Sequence, residues 1–526
     1  MTLTEITADD AKAHGLPPCY FKVDTSGTAL TVTPFPDAHQ YLIASGPPGA
    51  PLLAIVWALE SADADLAAVE RAVRRHFAQP WQQPLALYEP ATITIAYDDR
   101  PALAFSTGLG MRRTGWAGVI VQGRDGAVLV TFGRGIGDGT PTCGEIIAEP
   151  SLAAFARTFA LRERRMPAPS AVRIRGWSAA LAEKAARHRA AGALLGLAVG
   201  DALGTTNEFK ALSAPAFPEL ATGPVTGVTG GGPFSLVAGQ VTDDTQMAVV
   251  LANELLASDH IMAAEVAKGY LAWREVAFDV GSQITQVLDQ IASGTAADKA
   301  GRAVWEARNR FPAGNGSLMR TAALGVLLAG MDVETRRRAT FIDSTITHFD
   351  PRCVLACAAF NAAIAHALTE KPSPSSMLRA ARAELAEASA QLRLHYADVA
   401  PEIEAARVAL ASDLDAARDD DPQLYGNELH LHKSAGFVRV AFRLAFWELV
   451  HAPDYRSAIV DAANRGGDAD TNAAIVGALL GAFYGVDGVP ADWRDKVLAA
   501  PGLAAGKLDL HPRVFLHVLE RAYGAA

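Results

Sequence analysis

Residues 179–200 read AALAEKAARHRAAGALLGLAVG, and this stretch decides the fold class of the larger part of the chain. Alanine and leucine dominate it, and its apolar residues recur with the spacing of a helix rather than the alternation of a strand. Segments of the same texture follow at residues 247–258 (MAVVLANELLAS) and 436–452 (GFVRVAFRLAFWELVHA). The sequence therefore predicts a multidomain chain whose second domain, residues 185–526, is all-α.

The first 165 residues have a different texture. Short alternating or β-branched runs such as TALTVTP, PLLAIVWA and ATITIAY lie between residues 28 and 132 and predict strands. The Asp125-Gly126 pair between two such runs favours a β-hairpin, and one amphipathic helix is expected between residues 61 and 77. These features predict an α+β domain over residues 1–165, of unknown function, with partner recognition as one option.

The connection between the two domains is marked by charge and proline. The stretch RERRMPAPS, residues 162–170, carries two prolines that disfavour continued helix and suit an exposed segment. We therefore place a linker at residues 166–184.

Composition limits the classes of partner. The chain has 526 residues, of which 50% are hydrophobic, and a formal net charge of −10. A chain of this length can bury an ample core in two or more domains. Nucleic acids and anionic membranes are polyanionic and repel an acidic chain, so we expect neither as a broad partner.

Cysteine content and the N-terminus indicate where the protein works. The N-terminal MTLTEITADDAKAHG is polar and acidic, where a signal peptide has a basic start and an apolar core. The longest apolar run, Ala473 to Val486, is shorter than the ~20 residues of a membrane span and predicts a buried helix. Four cysteines in so long a chain make no disulfide framework, which favours a reducing compartment. A cytoplasmic protein without a membrane span is therefore expected.

Two acidic motifs carry the chemistry. Thr242-Asp243-Asp244-Thr245 directly precedes the helical run QMAVVLANELL, and Gly466-Gly467-Asp468-Ala469-Asp470-Thr471-Asn472 precedes AAIVGALLGAFYG. Each motif therefore falls in the cap and first turn of a helix, where we expect its side chains to face outward. Two helix starts then present four carboxylates and several hydroxyls.

Helix capping is the simpler explanation of either motif alone, since aspartate and threonine are common caps. Capping needs one such residue, whereas these motifs hold Asp-Asp and Asp-x-Asp, whose crowded charges repel unless they are protonated or bridged by cations. Oxygen ligands of this kind suit Mg²⁺, Mn²⁺ or Ca²⁺ better than zinc.

The ordered set of motifs resembles the ADP-ribosylglycohydrolase family, particularly its bacterial branch. The resemblance covers about residues 190–490. Its most specific pieces are GALLGLAVGDALGTTNEF at 192–209, TGGGPFSLVAGQVTDDTQMA at 229–248 and NRGGDADTNAAIVGALLGAFYG at 464–485. Shorter matches are FDVG at 278–281, GNGSLMR at 314–320 and THFDP at 347–351. The resemblance implies an all-α fold around two adjacent Mg²⁺ or Mn²⁺ ions, with ADP-ribose in a cleft beside them.

Carried over by position, the resemblance assigns residues to three roles. The metal ligands it implies are Thr242, Asp243, Asp244, Asp468, Asp470 and Thr471. The catalytic acids it implies are Glu208 and Asp279, together with Asp243 and Asp244. The substrate-binding residues it implies are Asn315, Gly316, Ser317, His348 and Gly467.

Several of these assignments keep an alternative. The Gly314-Asn315-Gly316-Ser317 turn opens the run LMRTAALGVLLAG, and amides at a helix start can bind phosphate, although a simple turn and cap has the same sequence. His348 either contacts the ligand or holds its loop. Asp201 either caps or braces its turn, and Gly230-Gly231-Gly232 is either a mobile lid or a plain flexible loop.

The reaction implied is hydrolysis of the bond between C1 of the distal ribose and an acceptor side chain, with arginine as the expected acceptor of an ADP-ribosylated protein. Serine, a nucleobase or a small molecule is the alternative acceptor for the same metal site. A different class of function is a binding or immunity protein that neutralises an ADP-ribosyltransferase, held through the N-terminal domain. The two roles can coexist.

Overall fold

The computed structural model describes residues 169–174, 184–212, 223–504 and 508–522 with their side chains, and the backbone of Ala505, of Tyr523 and of the strands between Thr2 and Arg134. The chain divides into two compact units, one of residues 1–168 with 389–400 and one of residues 169–388 with 401–526.

The described strands of the first unit form one sheet in the order β2-β1-β7-β8-β9-β10-β5-β4-β3, with β6 paired to β8. Strands β9 and β10 pair antiparallel with Gly123 opposite Gly126, as the predicted hairpin requires. The helix predicted between residues 61 and 77 lies outside the described residues, and so do most of residues 162–170. The strands are β1 (Thr2–Ile6), β2 (Tyr20–Asp24), β3 (Thr31–Pro34), β4 (Gln40–Ser45), β5 (Leu52–Ala58), β6 (Leu85–Leu87), β7 (Ala91–Ile95), β8 (Asp98–Thr107), β9 (Ala117–Gly123) and β10 (Gly126–Arg134).

The second unit is helical, with two short strand pairs that the sequence did not predict. Strand β11 (Ala171–Arg173) pairs with β12 (His260–Met262), and β13 (Ala504–Ala505) pairs with β14 (Leu508–Asp509). The helices that follow along the chain are α1 (Lys184–Gly204), α2 (Asp243–Ala257), α3 (Ala263–Arg274), α4 (Ser282–Ala292), α5 (Ala297–Ala307), α6 (Ala322–Leu327), α7 (Val333–Thr347), α8 (Pro351–Thr369), α9 (Pro374–His395), α10 (Ala400–Ala416), α11 (Val438–His451), α12 (Tyr455–Asn464), α13 (Ala469–Tyr484), α14 (Ala491–Ala499) and α15 (Arg513–Tyr523).

Helices α1 and α13 pack antiparallel with their backbones in contact. A Cβ atom on Gly196 would lie 2.4 Å from the carbonyl oxygen of Gly477, and one on Gly200 would lie 2.0 Å from that of Ala473. The glycines of α1 recur every four residues, so they line one face of the helix. Because the helices run in opposite directions, this packing brings the end of α1 beside the beginning of α13.

The apolar helices are core helices. Helix α13 is buried along most of its length, as the run from Ala473 predicted. Helix α8 is long and apolar enough to cross a membrane by composition alone, but 83% of its apolar window is buried inside the fold. Its hydrophobicity is therefore explained by its position in the core.

The sequence predicted a helix that begins directly after Ser317, and this predicted start is wrong. Residues 316–321 form turns, and α6 begins only at Ala322. The physical reason is the buried Arg320 side chain, which donates to the carbonyl of Gly316 and to Asp343 and holds the segment in a compact turn. The loop at residues 314–317 therefore does not lie at the N-terminus of a helix.

Candidate metal and substrate site

The two acidic motifs lie where the sequence placed them, but their side chains do not cap the helices. Thr242 precedes α2 and Asp468 precedes α13, and neither side chain makes a capping hydrogen bond. The expectation that they face outward is wrong for both motifs, because Asp244 is fully buried, Asp243 is 8% exposed and Asp470 is 3% exposed. Carboxylates held inside the protein need a role other than capping.

Asp201 braces the start of α2. Its carboxylate accepts hydrogen bonds from the backbone amides of Thr242 and Thr245 and from both hydroxyls, with the Thr242 hydroxyl at 2.8 Å. Burial raises the pKa of Asp201 to about 6, and the threonine hydrogen bonds oppose that rise. Residues 200–204 are the last turn of α1 rather than a separate turn, so Asp201 does not cap or brace a turn of its own but holds the start of α2.

Glu208 caps α13 from a distant part of the chain. One of its carboxylate oxygens accepts from the backbone amide of Ala469 at 2.6 Å and from that of Asp470 at 3.2 Å. Glu208 thereby satisfies the first two amides of α13, and the next amide, that of Thr471, donates to Asp470 Oδ1 at 2.7 Å. Glu208, Asp468 and Asp470 each offer a carboxylate oxygen, and these three oxygens lie within 4.8 Å of one another.

Electrostatics link both motifs into one cluster. Burial, followed by the charge of Asp468, raises the pKa of Glu208 to about 9. Burial, followed by the charge of Asp470, raises the pKa of Asp244 well above its ordinary value. Burial and neighbouring acids likewise raise the pKa of Asp243 and Asp470. Carboxyl groups this crowded stay protonated or attract cations.

Asp279 belongs to the same cluster. It lies just before α4 and is half-buried. Burial and the charge of Asp468 raise its pKa to about 6, and its own charge contributes to the raised pKa of Asp243. The structure thus brings the FDVG segment to the acids of α2 and α13.

The residues present fit a hard divalent cation. The Oδ1 atom of Asp244 is buried and has no hydrogen-bond partner, while its Oδ2 atom accepts from the Thr242 hydroxyl at 3.1 Å. A buried carboxylate oxygen without a donor is costly unless a cation completes it. The donors around it are carboxylates and hydroxyls, which Mg²⁺ and Mn²⁺ prefer.

The loop at residues 314–317 reaches the cluster through Asn315. Its side-chain amide donates to Asp468 at 2.7 Å, and its backbone amide donates to the carbonyl of Gly436. The Ser317 hydroxyl lies in the core, where it accepts from Ser344 at 3.0 Å. Asn315 is therefore the member of this predicted substrate-binding set whose side chain contacts the acids.

His348 supports that loop from beneath. Its ring is 2% exposed, its Nδ1 atom lies 2.8 Å from the Thr347 hydroxyl, and it packs against Gly316, where a Cβ atom would come within 2.8 Å of the ring. Burial, together with the charge of Arg320, lowers the pKa of His348 well below its ordinary value. A neutral, buried ring in this position holds the loop, which is one of the two roles weighed for it.

Gly467 forms a backbone link to the Glu208 segment. Its amide donates to the carbonyl of Lys210 at 2.8 Å, and its carbonyl accepts from the amide of Phe209 at 2.7 Å. Its φ of +71° is in the left-handed region, and a Cβ atom there would meet Leu431 at 2.6 Å. A glycine is required because the segment before Asp468 must turn tightly against its neighbours.

Sequence reasoning missed one buried cation beneath the site. Arg320 is fully buried; it pairs with Asp343, donates to Gly316 and Thr347, and lies 4.5 Å from the ring of Tyr270. It therefore ties the 314–317 loop to α7. The available signal was an arginine within an otherwise apolar run, a residue that is seldom buried without a partner.

Relatives of known name share this region. A model of the family described as ADP-ribosylglycohydrolase matches residues 182–518. The chain is 30% identical over 326 residues to the ADP-ribosylarginine hydrolase Tri1 of Pseudomonas putida (strain GB-1), covering 60% of this chain and 76% of that protein. It is 29% identical over 316 residues to the ADP-ribosyl-(dinitrogen reductase) glycohydrolase of Rhodospirillum rubrum, covering 59% of this chain and 90% of that protein.

A solved structure is also similar. It is titled "ADP-ribosylglycohydrolase-related protein complex" and is 28% identical in sequence, with a TM-score of 0.46. The match covers 65% of this chain and 99% of that one.

Proposed function

The chain belongs to the ADP-ribosylglycohydrolase family, and from this premise we propose that it is a metal-dependent hydrolase that releases ADP-ribose from modified arginine side chains of proteins. One observation carries the proposal. The acids of both motifs lie in one cluster, where Glu208 holds the first two amides of α13, and among the described residues the buried Oδ1 atom of Asp244 has no donor.

Two Mg²⁺ or Mn²⁺ ions are the proposed cofactors. Thr242, Asp243 and Asp244 would hold them from the start of α2, and Asp468, Asp470 and Thr471 from the start of α13. Bound there, the ions supply Lewis acidity toward the hydroxyls of the distal ribose and toward water. The acids that do not bind metal, Glu208 and Asp279, would stabilise the positive charge that develops at C1 as the glycosidic bond breaks.

Proton transfer falls to Glu208 or Asp279. Hydrolysis adds water to C1, breaks the bond from C1 to the guanidinium nitrogen and moves one proton from water to that nitrogen. Two backbone amides hold one oxygen of Glu208, and its carboxyl also shares a hydrogen bond with that of Asp470, so the group is fixed beside the acids of α13. Burial raises the pKa of both carboxyls, which favours the protonated form that a general acid needs.

Substrate binding is proposed for the 314–317 loop and its supports. Asn315, which contacts Asp468, would orient the ribose or diphosphate beside the acids. Gly316 and Ser317 would shape the loop, with His348 packed against it, and Gly467 would hold the segment before Asp468 in its tight turn. Because α6 begins only at Ala322, the 314–317 loop is not at a helix start, and a helix dipole does not add to phosphate binding there.

Arginine is the proposed acceptor because the Pseudomonas putida relative is named as an ADP-ribosylarginine hydrolase. A panel of arginine-, serine- and nucleobase-linked ADP-ribose tests this, with Mg²⁺ or with EDTA. We expect release from the arginine-linked substrate in Mg²⁺ only. Release from the serine- or nucleobase-linked substrate alone would support the hydrolase activity but show that arginine is not the acceptor.

A further inference from the structure

Three phenylalanine rings form an exposed aromatic rim beside the acids. Phe209 directly follows Glu208, Phe278 directly precedes Asp279, and Phe234 lies between their rings. The ring centroids of Phe209 and Phe234 are 6.3 Å apart, and those of Phe234 and Phe278 are 5.6 Å apart. Phe209 is 67% exposed and Phe278 is 40% exposed, so this apolar surface faces solvent.

The rim is built on constrained backbone. Phe209 has a φ of +60°, a region that a bulky residue rarely adopts, and its amide is fixed by the carbonyl of Gly467. The loop carrying Phe234 is closed by paired hydrogen bonds between Gly231 and Leu236. An exposed ring held in a strained conformation beside a reaction centre points to a binding role rather than to packing.

Resting on the proposed function, we propose that the Phe209–Phe234–Phe278 rim binds the guanidinium group of the modified arginine and selects arginine over neutral acceptors. The acceptor is attached at C1, beside the bond at which Glu208 or Asp279 would transfer a proton. It must therefore leave the cleft past the residues adjacent to these two acids. The adenosine end lies a diphosphate away from that bond. Recognition beside these two acids is therefore recognition of the acceptor.

Charge and shape both favour a guanidinium as the occupant. It is planar and cationic, so it can stack on aromatic faces. A serine-linked ADP-ribose offers a neutral ether oxygen with no plane to stack. The rim therefore distinguishes acceptors without contacting the ADP-ribose that they share.

The test is the full chain with Phe278→Leu and, separately, Phe209→Leu, because leucine keeps apolar bulk and removes the aromatic face. We expect kcat/KM on ADP-ribosylarginine to fall about 5- to 30-fold, equivalent to about 1–2 kcal/mol. Phe278→Tyr should restore it, since tyrosine keeps the aromatic face. The Kd for free ADP-ribose, which has no acceptor, should stay within about twofold of wild type.

The matched control is Leu516→Ala, which removes an exposed apolar side chain from α15 and should change neither quantity. Unchanged kcat/KM in both leucine variants overturns the rim proposal, and so does an equal loss of ADP-ribose affinity. Melting curves of the leucine variants should match wild type because both sites are exposed. If the wild-type protein is inactive on ADP-ribosylarginine, the proposed function is contradicted, and the rim proposal with it. If the wild-type protein is active and the leucine variants keep its kcat/KM, only the rim proposal is contradicted.

Discussion

Asp201, Glu208 and Asp244 show how single side chains divide the work of the site. Asp201 fixes the start of α2, Glu208 caps α13, and Asp244 keeps one buried oxygen without a donor. Asp201 and Glu208 accept hydrogen bonds from backbone amides at the starts of α2 and α13, so the acids of the two motifs are available to cations.

Changing any of Asp243, Asp244, Asp468 or Asp470 to Asn should abolish turnover. An amide lacks the full negative charge that holds a divalent cation, so we expect kcat/KM to fall about 100-fold or more. Folding should survive because the substitution also relieves repulsion among buried acids. Calorimetric titration with Mg²⁺ and an activity assay check this, with the exposed Asp420→Asn as control. Wild-type turnover by the Asp470→Asn protein would refute the ligand assignment.

The metal-free protein should lose stability as pH rises from about 5 toward 8.5. An acid whose pKa is raised on folding binds more protons folded than unfolded between its two pKa values, so stability falls with pH in that window. Glu208, with a pKa of about 9, and Asp201 and Asp279, with pKa values of about 6, all act in this direction. Melting curves in EDTA check the slope, which Glu208→Gln should reduce and Mg²⁺ should offset. A melting temperature that rises across this range contradicts the prediction.

The sequence predicted that the two acidic motifs lie at the starts of α2 and α13, because the apolar pattern of each helix marks where it begins. It did not predict that Glu208 caps a helix 261 residues further along, since that contact depends on the packing of α1 against α13. It likewise left the role of Asp201 open. Tertiary contacts over such distances are not encoded in any local pattern.

Helices α1 and α13 are the elements that assemble the site. Gly192, Gly196, Gly200 and Gly204 remove the side chains that would separate the two backbones. Asp201 at the end of α1 and Asp470 in the first turn of α13 are thereby brought together. The glycines were visible in the sequence, but only the structure shows which helix they face.

Gly200→Ala should damage both the fold and the site. The added Cβ atom would lie 2.0 Å from the carbonyl oxygen of Ala473, so the helices must separate. We expect a destabilisation of about 3 kcal/mol, near the upper end for overpacking, and weaker Mg²⁺ binding. The control is Gly426→Ala, where no atom lies within 4 Å of the added Cβ. Equal melting temperatures for the two variants would show that the close packing is not required.

Helix α6 illustrates an error of local reasoning. The run LMRTAALGVLLAG has helical composition, yet its first residues form turns because Arg320 is drawn inward to Asp343 and Gly316. A buried ion pair between distant elements overrode the local preference. The glycine-containing loop at 314–317 therefore depends on side-chain supports rather than on a helix terminus.

At the scale of the whole molecule, every matched motif lies after Gly192, within the helical unit. A fragment starting at Pro169, which keeps β11 paired with β12, should therefore hydrolyse a small arginine-linked substrate as fast as the full chain. The N-terminal domain should matter only for an intact modified protein, seen as slower turnover by the fragment, because a separate domain adds recognition. A fragment that is folded by circular dichroism but inactive on the small substrate would place part of the cleft in the N-terminal region.

Metal-dependent release of ADP-ribose from arginine is tested most directly by following that release with the metal-stripped full chain as Mg²⁺ is added. We expect no release in EDTA and full recovery with Mg²⁺ or Mn²⁺, because among the described residues one buried oxygen of Asp244 has no donor and the charges that act on this carboxyl are those of other acids. Equal release in EDTA, or none at any Mg²⁺ or Mn²⁺ concentration, would contradict it.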